Sequence, residues 1–104
     1  MKSKQRTKKP STKPRPARTR QQIIDWLNKL GISLILADGF EEAFLGVDYD
    51  DNDLPRAVYS RDKCIEILSR EMQHEEAIEF FDFNVDCAYV GHQTPIYIDT
   101  IPQP

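Results

Sequence analysis

The chain has 104 residues, 39% hydrophobic and 30% charged, which is enough for one small core and too few for a second. Its net charge of −3 hides a separation of sign: nine of the 14 basic residues precede Gln21, where no acid occurs, so residues 21–104 hold five basic residues against 17 acids, a balance of −12. No run approaches the roughly 18 apolar residues that span a bilayer, and the basic start lacks the apolar stretch of a signal peptide and the apolar face of a transit peptide. Cys64 and Cys87 form no CxxC pair and are too few for a disulfide framework, so a reducing cytoplasm is the expected compartment.

Residues 1–18 carry three prolines and, beyond Met1, only Ala17 as an apolar side chain. Such a segment buries too little surface to offset the entropy of ordering it, and it is expected to be a disordered basic tail. Residues 19–104 form the expected folded unit.

Thr19 suits a helix N-cap, Gln22 completes a capping box, and Gly31 suits the C-terminal cap. Between them Ile23, Trp26, Leu27 and Leu30 trace an apolar face. Ile32 to Leu36 is nearly continuous apolar sequence, and its β-branching after Gly31 favours a strand. Asp38-Gly39 signals a turn. Ala43 to Tyr49 reads as a strand with a bulge at Gly46, Asp50 to Pro55 as a turn, and Arg56 to Tyr59 as the returning strand of a hairpin.

Ser60 or Asp62 can cap the next helix, with Cys64, Ile65, Leu68 and Met72 facing inward. After a break near Gln73-His74, Glu75 and Glu76 occupy the first turn of a further helix, where the positive end of the peptide dipoles favours acids. Its stripe is Ala77, Phe80, Phe81, Asn84, Val85 and Ala88, ended by Gly91. From Pro95 to Ile101 the pattern sets Ile96, Ile98 and Ile101 on one side of a half-buried edge strand and Tyr97 and Asp99 on the other. The whole predicts an α+β domain: a small antiparallel sheet of three to four strands packed against two to three helices.

The segments DGFEEAFLGVD, AVYSRDKCIEIL and EEAIEFFDFNVDCAYVGHQTPIYI, covering about Asp38 to Ile98, carry a further signal. Together they resemble a family of short, uncharacterised proteins of tailed phages and bacterial genomes, marked by D-G-[FY]-x-x-A, V-Y-x-x-x-K-[CM] and E-E-A-x-E-[FWY]-x-x-F-N…A-[YW]-V-G-x-x-T-P. The resemblance implies a phage-related, viral origin and brings no activity with it. The basic start lies outside it.

No catalytic constellation stands out. Asp48, Asp50 and Asn52 take positions one, three and five of an EF-hand-like loop, but Asp53 stands where the sharp turn needs Gly and Tyr59 where a bidentate Glu belongs. An acidic hairpin turn is the expected reading. Cys64, His74, Cys87 and His92 lack zinc-site spacing, no glycine-rich phosphate loop occurs, and no metal or cofactor is expected. Asn84 interrupts an apolar stripe; where buried it must satisfy up to four hydrogen-bond sites, so a structural polar role is expected, tying the helix to Asp38-Gly39 or to Gly91-Thr94. Tyr49, Tyr59, Tyr89 and Tyr97 suit either a surface or sheet packing.

The expected function is therefore non-enzymatic. An acidic domain can steer towards basic patches of a host or viral protein, through Asp48, Asp50, Asp51, Asp53, Glu75, Glu76 and Glu79. A second expectation makes Lys2, Lys4, Arg6, Lys8, Lys9, Lys13, Arg15, Arg18 and Arg20 a nucleic-acid-binding arm that contacts phosphates without reading sequence, since it has no aromatic residue to stack on bases. Virion structural component is a third. The chain is expected to act as a monomer or homodimer away from membranes.

Overall fold

A computed structural model describes residues 19–101. The expectations for residues 1–18 lie outside the described residues. Helix α1, Arg20–Leu30, starts as its sequence requires. The Thr19 hydroxyl oxygen accepts from the Gln22 amide at 3.1 Å, and Gln22 Oε1 accepts from the Thr19 amide at 2.9 Å. Gly31, at φ 71°, turns the chain out of the helix in a left-handed conformation that other residues resist. Only Ile23 and Leu27, one helical turn apart, reach the core; Trp26 and Leu30 are about half exposed. The narrow stripe leaves Trp26 at its rim, with its ring edge-on to Phe44 at 6.2 Å between centroids.

Residues 32–37 form no strand. Ile32, Leu34 and Leu36 are half-buried and alternate with exposed Ser33 and Ile35, the burial period of a strand without its ladder. Two side chains supply the missing partners. Tyr59 accepts from the Ala37 amide at 2.8 Å, and Gln93 donates to the Ser33 carbonyl at 2.9 Å.

A short 3₁₀ turn, Glu41–Ala43, leads into β1, Phe44–Tyr49, which pairs antiparallel with β2, Pro55–Ser60. The register slips between Phe44 and Gly46, so Phe44 faces Tyr59 while Val47 faces Ala57. Residues three apart on a regular strand point to opposite sides of a sheet; the extra residue puts Phe44 and Val47 on the same side, beside Tyr59 and Ala57. Ser60 caps helix α2, Arg61–Leu68, by accepting from the Lys63 amide at 3.2 Å. Helix α3, His74–Phe80, runs directly into a π-helical turn, Phe81–Val85, and the chain returns as β3, Ile96–Ile98.

The α+β class and three strands stand as expected, but the sheet is mixed. Strand β3 lies parallel to β2, with Tyr97 opposite Tyr59, and the order is β1-β2-β3. Residues 61–95, two helices and a loop, are long enough to carry the chain back to the starting end of β2, as a parallel pair requires. The side of β3 that carries Tyr97 faces the core. Tyr97 stacks on Tyr59 at 5.6 Å and meets Phe81 edge-on at 5.1 Å, whereas Ile98 and Ile101 are 42% and 88% exposed. An aromatic ring removes more apolar surface from water than an isoleucine, and the ring takes the core.

Trp26, Phe44, Tyr59, Tyr97 and Phe81 thus form a continuous row of rings across α1, the three strands and the π-helical turn. Ile23, Leu27, Phe40, Ala43, Ala57, Cys64, Ile65 and Ala77 complete the buried cluster around it.

Candidate functional site

The hairpin between β1 and β2 is built on Asp50. Its carboxylate accepts from the Asn52 amide at 2.8 Å and the Leu54 amide at 2.9 Å, and these backbone bonds hold it below its ordinary pKa of 3.8. Asp53 adopts φ 60°, a left-handed conformation that aspartate tolerates better than most residues. Asp48 pairs with Arg56 at 3.4 Å, leaving Asp51 and Asp53 as exposed carboxylates at the tip. Asp50 Oδ1 thus serves the loop's own backbone. Among the described residues no three His, Cys, Asp or Glu side chains converge to hold a metal ion.

Glu75, Glu76 and Glu79 lie on α3, all exposed. Glu76 serves the helix itself by accepting from the Gln73 amide at 3.3 Å, and the α-helix gives way after Phe80. There the Asp86 amide reaches back five residues to the Phe81 carbonyl at 2.8 Å, and the Cys87 thiol donates to the Asp82 carbonyl at 2.9 Å. This widened turn redirects its side chains. Phe81 is fully buried while Phe80 and Phe83 are 43% and 76% exposed. Asn84 is also exposed, so it neither interrupts a buried stripe nor ties the helix to a loop. The turn's extra residue shifts the helical period that placed it inward.

The tie to the Gly91–Thr94 loop is instead made by Gln93, which donates to the Ser33 and Pro55 carbonyls at 2.9 and 3.1 Å. Beside it lies a polar cleft of about 510 Å³ between the hairpin and residues 86–97, edged by Asp50, Arg56, Asp86, Tyr89 and His92. An apolar groove of about 470 Å³ opens elsewhere, lined by Gln22, Ile23, Trp26, Phe44 and Leu45.

The distribution of charge is the strongest surface feature. Of the six cations among residues 19–101, five are engaged: Arg20 with Asp38, Arg56 with Asp48, Arg61 with Asp82, Lys63 with Glu66, and Arg70 with Glu42 and Glu66. Arg70 grips Glu42 through both terminal nitrogens, at 2.6 and 3.2 Å, and this holds the Glu42 carboxyl below its usual range. These pairs use five of the 17 acids, which leaves twelve carboxylates with no described cation beside them. Of the proposed phosphate-binding residues Arg20 alone is described, and its guanidinium already meets a carboxylate.

Both cysteines are free. Burial pushes the Cys64 thiol from 9.0 up to about 12, and the Tyr97 phenol from 10.0 up to about 12; it also raises Tyr59. A folded state that holds protons which the unfolded chain releases loses stability as pH climbs above the unfolded values. The urea midpoint is therefore expected to fall between about pH 9 and pH 11, each group contributing at most about 1.4 kcal/mol per pH unit. Cys64→Ala should lessen the slope, and in the native protein a thiol reagent should titrate Cys87 but not Cys64. A midpoint that is flat across that range would contradict the burial argument.

No family model matches the chain, and neither does any curated protein or solved structure.

Proposed function

We propose that the chain is a non-enzymatic accessory protein of phage origin whose acidic domain binds a basic surface of a host or viral protein in the bacterial cytoplasm. The observation that carries this reading is the surplus of twelve carboxylates without described cationic partners, on a domain that also exposes large apolar side chains such as Phe83, Tyr89 and Leu45. Unpaired acids speed encounter with a positive partner and reject negative ones, while desolvated aromatic residues supply the affinity that surface charge does not.

Affinity capture from nuclease-treated host lysate tests the reading, with the full chain and with a chain lacking residues 1–18. The expected result is a discrete basic protein retained by both at about 0.15 M salt and released near about 0.5 M, where exposed charges are screened within a few ångströms. Recovery of no partner by either chain would overturn it.

A second reading rests on the nine cations that precede Gln21. It makes those residues a non-specific nucleic-acid arm, and it predicts gel shifts that vanish on deletion of residues 1–18 and weaken steeply with salt.

A further inference from the structure

We propose that the outward face of α3 and the π-helical turn docks an arginine-bearing basic segment of a protein partner, with Phe80 and Phe83 taking the guanidinium and its apolar neighbours and Glu79 and Asp86 taking the charge. This rests on the protein-binding reading above and assigns it a place and a chemistry.

Phe80 closes α3 and Phe83 lies in the π-helical turn, on either side of Phe81 in the chain, and they are 43% and 76% exposed. Phe81 between them is fully buried, whereas Phe80 is partly and Phe83 largely open to water. Aromatic side chains are enriched in the surfaces through which proteins meet. Glu79 lies four residues before Phe83 and Asp86 three after it, while Glu76 lies four before Phe80; none of the three acids has a described cation beside it. An exposed ring and a carboxylate each attract a cation, the one through the negative face of its π-system and the other through direct ion pairing.

The same turn already holds one arginine in this way. The Arg61 guanidinium sits over the Phe81 ring, 5.7 Å from its centroid, and bonds Asp82 at 3.1 Å. One side of the π-helical turn therefore shows the clamp closed by an internal arginine, and the other presents the same residue types with no arginine of its own among the described residues. Arginine is favoured over lysine because its planar, weakly hydrated fork can lie flat on a ring and reach a carboxylate together. Phosphate-bearing partners are disfavoured by the acids.

The test is fluorescence polarisation with a labelled twelve-residue peptide alternating arginine and leucine, and its lysine counterpart, against the full chain. Phe83→Ser is expected to weaken arginine-peptide binding about tenfold or more, the scale of an interface hot spot. Glu79→Gln with Asp86→Asn should weaken it about fivefold and flatten its salt dependence. The lysine peptide should bind about threefold more weakly, and Asp51→Asn with Asp53→Asn on the hairpin should stay within about twofold. Urea midpoints of all variants should match the parent, since every substituted side chain is exposed.

If the hairpin variant loses as much as Phe83→Ser, or Phe83→Ser loses nothing, the face is wrong and the wider acidic-surface reading survives. If the parent binds neither peptide while lysate capture yields a basic protein, the arginine assignment alone falls; if capture is also empty, both fall. Deleting residues 1–18 should leave affinity within about twofold. A rise of about tenfold would make the chain's own N-terminal residues the occupant and overturn the assignment to a foreign segment.

Discussion

Phe81→Ala is expected to destabilise the domain by about 3–5 kcal/mol, enough to leave much of it unfolded at room temperature. Phe81 is completely buried, contacts Tyr97 edge-on and lies beneath the Arg61 guanidinium. Truncation removes a ring from the middle of a contact chain and opens a cavity that neighbours on a helix, a strand and a π-turn cannot jointly collapse to fill. A domain of this size starts with modest stability, so the loss takes most of what it has. Phe83→Ala, two residues on and 76% exposed, should change stability by no more than about 0.5 kcal/mol. Urea denaturation of the pair measures the difference directly. Similar midpoints for the two variants would mean that the π-helical turn does not present its residues as described.

Tyr59→Phe should cost about 1–3 kcal/mol while leaving the row of rings intact. The hydroxyl is the acceptor for the Ala37 amide at 2.8 Å, in a segment that has no sheet partner, and removing it strands a part-buried donor. Hydrogen exchange should localise the effect, with the Ala37 amide losing protection far more than the amides of β2. Equal protection in both proteins would show that residues 32–37 are held by apolar contacts alone.

What could be read from sequence divides along the range of the interactions involved. The capping box of Thr19 and Gln22, the left-handed Gly31, the bulge at Gly46, the hairpin around Asp50 and the Ser60 cap all depend on residues within a few positions of one another, and all are present. Most of the features that differ depend on distant partners. Ile32 to Leu36 has the composition of a strand, yet it joins no ladder, and backbone groups at Ser33 and Ala37 are met by Gln93 and Tyr59 from far along the chain. The alternation of Ile96 and Ile98 with Tyr97 leaves open which side of β3 faces the core, and that is decided by the ring of Tyr59 across the ladder. Asn84 and Ala88 follow the expected stripe only if the helix keeps 3.6 residues per turn, and the widened turn after Phe80 breaks that count.

The acids at the hairpin tip and on α3 were legible as charged groups, whereas the exposed pair Phe80 and Phe83 was not. Phe80 matched the inward period, and Phe83 fell outside it without any local mark of function. Gln93 was missed for a related reason: a lone glutamine in a turn carries no pattern, though here it bridges Ser33 and Pro55.

The row of rings begins at the chain's one tryptophan, so intrinsic emission becomes a position-specific reporter. Trp26, half in water and edge-on to Phe44, will shift to the red as soon as α1 peels from the strands, even while Tyr59 and Tyr97 remain stacked. Detachment of the first helix and collapse of the whole domain are thereby separable by wavelength, with circular dichroism of the tyrosines following the second event.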